Sequence, residues 1–108
     1  MPLYIDSPIT GDKIQVAEND FPNGMTWNQA MSACAGLGNG WRLPIKDELK
    51  AMYEQLHKQG RGNFKDTWYW SSSQINSGYA WHVYFNDGNV FYFYKNYYDF
   101  QVRAVRAF

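Results

Sequence analysis

Half of one 22-residue stretch of this chain is aromatic: residues 79–100 hold 11 Phe, Tyr and Trp side chains. No other feature restricts the fold as much. Strand side chains alternate between faces, so the run Phe91-Tyr92-Phe93-Tyr94 cannot send every ring into one core. About half must face outward or line a second layer. Aromatic residues suit strands well enough for a sheet with rings on both faces. Small sheets, however, usually keep one face polar. Exposed rings cost solubility and mark binding surfaces. Tyr interspersed with Asn, Asp, Ser and Gly is also the composition of antibody-like recognition surfaces. There the ring supplies rigid area and the short polar residues supply adaptable hydrogen bonds. Sugar stacking on Tyr and Trp faces is the other established use of such rings.

The rest of the composition narrows the function classes. A length of 108 residues fits one domain. Ten basic and ten acidic residues give no net charge. Such a chain lacks the field that nucleic acid or an anionic membrane selects, so no nucleic-acid partner is expected. Apolar residues at 45% can fill a core. A single cysteine excludes a disulfide framework and a multi-cysteine zinc site. No apolar run approaches the roughly 20 residues that span a bilayer, so no membrane insertion is expected. Residues 1–6 show no basic region and no long apolar segment, so no signal peptide is visible. Display outside the cell or on a virion remains compatible with that.

The pattern predicts short strands at residues 3–5 and 13–16, broken by Pro2, Pro8 and Gly11. A helix starts after Thr26, with Gln29 completing a capping box. Trp27, Ala30, Met31 and Cys34 share one face of it, and Gly36 and Gly38 stop it. Residues 41–44 form an extended connector ahead of Pro44. A second helix over 46–58 carries Leu49, Met52, Tyr53 and Leu56 on its inner face. Asp47 and Glu48 suit its start and His57 and Lys58 its end. Ile45 stands at the cap position and is a poor cap. Strands follow at 68–72, 80–85, 89–94 and 102–108, with Asn86-Asp87-Gly88 as a hairpin turn. Two helices followed by an antiparallel meander make an α+β domain, with the helices packed on one small twisted sheet. Trp27, Trp41, Trp68, Trp70 and Trp81 are expected in the core. Arg103 and Arg106 fall on opposite faces of the last strand. Whichever is buried needs a carboxylate, with Glu48 or Asp47 as candidates.

The residue types in the aromatic segment are selective. The candidate ligand-binding positions are Ile75, Tyr79, His82, Tyr84, Phe91, Tyr92, Phe93, Tyr94, Tyr97, Tyr98, Asp99 and Phe100, with Asp87 in the turn. Each is encoded by codons that can end in a pyrimidine. So are Asn76, Asn86, Asn89 and Asn96. Trp81, Lys95 and Gln101 demand other codons and fall where framework is expected. Randomising the adenines of asparagine codons produces this pattern.

Several motifs carry a family resemblance. They are Met25-Thr26-Trp27-Asn28-Gln29-Ala30, Cys34, Gly40-Trp41-Arg42-Leu43-Pro44, Asp47-Glu48-Leu49, Tyr69-Trp70-Ser71-Ser72-Ser73, Ala80-Trp81, Phe85, Gly88 and Val102-Arg103-Ala104-Val105-Arg106. In this order and spacing, over residues 11–107, the chain resembles the C-terminal domain of bacterial collagen-like adhesins of the Lcl type. The resemblance implies a C-type-lectin-like fold. It also implies use as the variable protein of a diversity-generating retroelement, in which an adenine-rich template rewrites the 3′ end of the gene. Residues 75–100 would then be the variable segment and 101–108 its constant tail. Ile45 departs from the Thr or Ser usual at that cap. The Glu-Pro-Asn and Trp-Asn-Asp motifs of calcium-dependent lectins are missing, so no calcium and no other cofactor or metal is expected.

Catalysis finds little support in the residues. Formylglycine-generating enzymes share the lectin-like fold but use paired cysteines, whereas Cys34 is alone on an apolar helix face. His57 reads as a residue compatible with a helix end. His82 lies in sequence near Asp87 and Asp99, but no nucleophile is spaced to complete a catalytic set. Gly36-Leu37-Gly38-Asn39-Gly40 lacks the order of a phosphate loop. The expectation is a non-catalytic ligand-binding module. Its partner would be a protein or glycan on another cell or virus. The fixed-specificity alternatives are a glycan-binding adhesin domain, or a structural domain whose aromatic surface joins copies of the chain.

Overall fold

A computed structural model describes residues 2–108. Its elements, in chain order, are β1 (Leu3–Asp6), β2 (Lys13–Val16), α1 (Trp27–Gly36), α2 (Lys46–Gln55), a 3-10 turn (His57–Gln59), β3 (Trp68–Gln74), β4 (Tyr79–Tyr84), β5 (Val90–Tyr94) and β6 (Val105–Ala107). The class is α+β. The expected single sheet is two antiparallel sheets of three strands, ordered β1-β2-β6 and β3-β4-β5.

The split has a local cause. The chain was expected to be extended over 102–108, but only β6 pairs as a strand. The backbone before it is committed to loops: Ala104 and Val102 carbonyls accept from Ala17 and Phe21 at 2.9 and 3.1 Å. Arg42 pairs with Val105 in both directions, at 2.8 and 2.9 Å. Residues 100–104 therefore link the two sheets without forming a strand of either.

Two apolar clusters lie on opposite sides of β3 and β4. One holds Ile5, Val16, Leu49, Met52, Leu56, Tyr69, Val83 and Phe85. The other holds Trp27, Ala30, Cys34, Leu43, Trp70, Ala80 and Val102. Strand alternation sends the neighbours Tyr69 and Trp70 into different clusters. Met31, placed on the inner face of α1 by spacing, sits at its margin and is exposed.

Thr26 caps α1 as expected, with Gln29 returning the bond to the Thr26 backbone at 3.0 Å. The poor cap of α2 is compensated from elsewhere. Ser73, on the bulged stretch of β3, accepts from the Lys46 backbone at 2.9 Å. Glu48 accepts from the Ile45 backbone at 3.0 Å. Two N–H groups that Ile45 cannot serve are thus satisfied. The helix stops at Gln55, short of the expected Lys58, and continues as the 3-10 turn that Gly60 ends in a left-handed conformation.

Arg103, not Arg106, is the buried arginine. Its partner is Asp20 at 2.8 Å, rather than either expected carboxylate. Its remaining N–H groups donate to the carbonyls of Ala17, Gly62 and Asn63, at 2.9, 2.8 and 3.3 Å. Phe64 covers the guanidinium face at 4.0 Å. Asp20 also accepts from the Tyr69 hydroxyl at 2.6 Å, and burial raises the Tyr69 pKa above its ordinary value. Glu48 serves Arg42 instead, through two bonds of 2.7 and 2.9 Å. Arg106 bonds Gln15 and lies 4.6 Å from the Trp41 ring.

Candidate ligand-binding surface

The β4–β5 hairpin carries the aromatic segment, and its register sorts the rings. Tyr79 faces Tyr94 and Trp81 faces Tyr92 on one side; Ala80 faces Phe93 and His82 faces Phe91 on the other. The turn between them works because Gly88 has φ +80° and passes directly over the Tyr53 ring, where a Cβ would lie 2.5 Å from a ring carbon. Asp87 is engaged within this turn, accepting from the Asn89 backbone and side chain at 2.9 and 2.8 Å.

On the first side the rings form a contiguous ladder. Tyr79 lies 4.8 Å from Tyr94 and 5.9 Å from Tyr92, and Trp81 lies 5.3 Å from Tyr92. The ladder continues past β5, with Tyr94 5.8 Å from Tyr97 and Tyr97 5.0 Å from Tyr98. Phe91, Tyr92, Tyr94, Tyr97 and Tyr98 are each about half exposed or more, with Tyr97 at 69%. Ile75 and Asp99 are also exposed.

The second side is partly covered. Phe100 folds back over it, 4.5 Å from Trp70 and 5.0 Å from His82. Tyr98 stacks on Phe93 at 5.2 Å, and Tyr84 stacks on Trp68 at 4.8 Å. Trp68, expected in the core, is 42% exposed. Trp41 and Trp81 are only half-buried, while Trp27 and Trp70 are core residues. A groove of about 520 Å³ opens here, lined by Trp68, His82, Phe93, Tyr98, Phe100 and Gln101 with Asp99 and Thr67. A second hollow of about 530 Å³ lies near β1 and β2, where Arg42 and Glu48 are engaged with each other.

His82 differs from the other candidates: it is 5% exposed. Burial pushes its pKa down to about 4. The unfolded chain binds this proton near the usual 6.5. Stability from His82 is therefore fully present above pH 6.5 and is lost as pH falls toward 4. The expected loss is on the order of 2–3 kcal/mol. Urea titrations between pH 4 and 7 should show it, and His82→Phe should flatten the profile. Parallel losses in both proteins would assign the effect to other groups.

The framework positions within and directly after the segment are held by other contacts. Lys95 is buried, with its ammonium donating to Gln74 and lying 4.3 Å from the Trp27 ring. Its backbone N–H donates to the Gly78 carbonyl at 3.0 Å, and its carbonyl accepts from Trp27 at 2.8 Å. Gln101 exchanges backbone bonds with Trp68 and Trp70 at 3.0 and 3.1 Å. The tryptophans and serines of the sequence motifs are engaged in the same way. Trp27 Nε1 donates to the Ser71 carbonyl at 2.8 Å, Ser71 Oγ to the Trp81 carbonyl at 2.7 Å, and Trp70 Nε1 to the Met25 carbonyl at 2.9 Å.

The model of the Lcl C-terminal domain family matches residues 12–106. The chain belongs to that family. No curated protein matches the chain. The Lcl C-terminal match covers the entire aromatic segment and, apart from Ile5, every residue named above in the two apolar clusters, so the exposed rings are part of the family domain and not an appendage to it.

The remaining chemistry-bearing residues do not converge. Cys34 is buried, and burial pushes its thiol up to about 12, leaving a poor nucleophile. His57 is not solvated at a helix end: it bonds Asp66 at 2.7 Å and packs among Tyr53, Phe64 and Phe85. Among the described residues, no three His, Cys, Asp or Glu side chains cluster as a metal site. Sequence reasoning missed the structural roles of Asp20 and Gln74. Neither carries a local signal, because their partners lie 83 and 21 residues away.

Proposed function

We propose that this domain is a non-catalytic ligand-binding module. Its aromatic face, carried by residues 75–100, recognises a protein or glycan on another cell or a virus. The scaffold is of the C-type-lectin-like kind, and the face is diversified by a retroelement. One observation carries the reading: Tyr92, Tyr94, Tyr97 and Tyr98 stay exposed along one run of neighbouring rings, with Phe91 exposed on the other side of the hairpin, on a domain with two filled cores. Apolar surface of this kind is retained where it binds something. The sorting of residue types supports diversification. Lys95, Gln101 and Trp81, excluded by the codon pattern, hold the framework, and the permitted types supply the exposed rings. The burial of Cys34 and the engagement of His57 support a role without catalysis.

Two experiments test this. Sequencing the gene and its flanks should find an imperfect repeat of the segment encoding residues 74–108, differing where that repeat has adenine. Without a repeat, the face has fixed specificity. The second compares the chain with its Tyr92→Ala, Tyr94→Ala, Tyr97→Ala, Tyr98→Ala quadruple variant on an array of surface proteins and glycans. Binding should be lost, while urea unfolding should report a cost below about 2 kcal/mol for the four exposed changes together. A variant that unfolds would show the rings to be core. One that sediments as a smaller species would show them to be a self-association interface.

A further inference from the structure

We propose that the groove between Trp68, Phe93, Tyr98 and Phe100 is the anchor subsite of the aromatic face, and that it receives a lysine or arginine side chain of a protein partner. This rests on the binding-module reading. Four rings bound the groove. Ring faces attract cations, and most strongly where water is excluded. This chain uses that attraction repeatedly: Arg103 sits over Phe64, Lys95 over Trp27 and Arg106 over Trp41, at 4.0, 4.3 and 4.6 Å. The groove has the rings without a cation, since no Lys or Arg lines it. Its one charged lining residue is Asp99, exposed and negative.

The groove also carries unspent hydrogen-bonding capacity. Among the described residues, two buried side-chain polar atoms lack a partner, His82 Nδ1 and Gln101 Oε1, and both belong to residues that line it. Leaving such atoms unpaired is costly, so a ligand that pairs them gains. Gln101 Oε1 only accepts. His82 is neutral near pH 7, and its Nδ1 accepts when Nε2 holds the proton. Tyr98, half exposed, forms one wall of the groove beside these atoms. Two acceptors, a carboxylate and a ring of π faces match a group that is cationic and only donates, as ammonium and guanidinium do. An anion would meet Asp99. A sugar hydroxyl would use the acceptors but not the charge.

The test is an NMR titration of the whole chain with Nα-acetyl-lysine amide, Nα-acetyl-arginine amide, the neutral Nα-acetyl-norleucine amide and a methyl glucoside. The two cations should shift the Trp68 indole and Gln101 side-chain amide signals. Asp99→Asn, an exposed change that leaves the fold intact, should weaken this response about tenfold. The neutral amide and the glucoside should leave those signals in place. An equal response to the neutral amide, a response to the glucoside alone, or no cation response at Trp68 and Gln101 would each overturn the subsite. The array comparison separates this from the broader reading. Array binding that depends on the four tyrosines, without a cation response in the groove, sinks the subsite alone. Array binding that survives the quadruple variant sinks the module reading.

Discussion

Arg103→Met should cost about 3–5 kcal/mol of folding stability. Arg103 is fully buried, and its guanidinium ties Asp20 to three backbone carbonyls from two loops. Met fills most of the volume but leaves Asp20 as a buried charge without its cation. It also leaves the carbonyls of Ala17, Gly62 and Asn63 without this donor. The cost is mainly the cost of an orphaned charge, so adding Asp20→Asn should recover part of it. Urea unfolding of the single and double variants measures both. A loss below about 1 kcal/mol for Arg103→Met would place this pair with exposed ion pairs, whose contributions are small.

Trp70→Ala should cost about 3–5 kcal/mol for a different reason. Its ring is fully buried and supports Phe100 from below, while its Nε1 satisfies the Met25 carbonyl. Alanine leaves a cavity under the groove and removes one of two donors to that carbonyl, which still accepts from the Phe100 N–H at 3.0 Å. Trp70→Phe separates the two contributions, because it keeps most of the packing and loses only the hydrogen bond. That variant should cost about 1 kcal/mol. The contrast with Tyr97, whose ring is mostly exposed, is the sharpest available division between scaffold and face. Equal costs at Trp70 and Tyr97 would remove that division.

Local chemistry made much of this fold legible. Thr26 and Gln29 announce the start of α1, and they cap it as written. Asn86-Asp87-Gly88 announces the hairpin, and the turn forms there. The crowded aromatic run implied rings on two sides of a strand pair, and the register puts them there. Long-range pairing was not legible. Arg103 finds Asp20 from 83 residues away, while Glu48, six residues from Arg42, pairs with that arginine instead. The cap of α2 comes from Ser73, which no reading of residues 45–48 could supply. Trp68 was expected inside on hydrophobicity alone. It shares a side of β3 with Trp70 but stands at the first position of the strand, beyond the second cluster, where it stacks on Tyr84 at the groove. The exposed site residues were legible as a set. The burial of His82 was not, because it depends on Phe100 folding back over β4.

Lys95 and Gln101 hold the segment between them largely by main-chain bonds, and those bonds do not depend on which side chains lie at positions 96–99. Folding and recognition are thereby written in separate letters of the same stretch. A population of chains differing only at 96–99 should share one melting transition while differing in what each member binds. Such positions can be searched for affinity without spending most of the search on sequences that never fold.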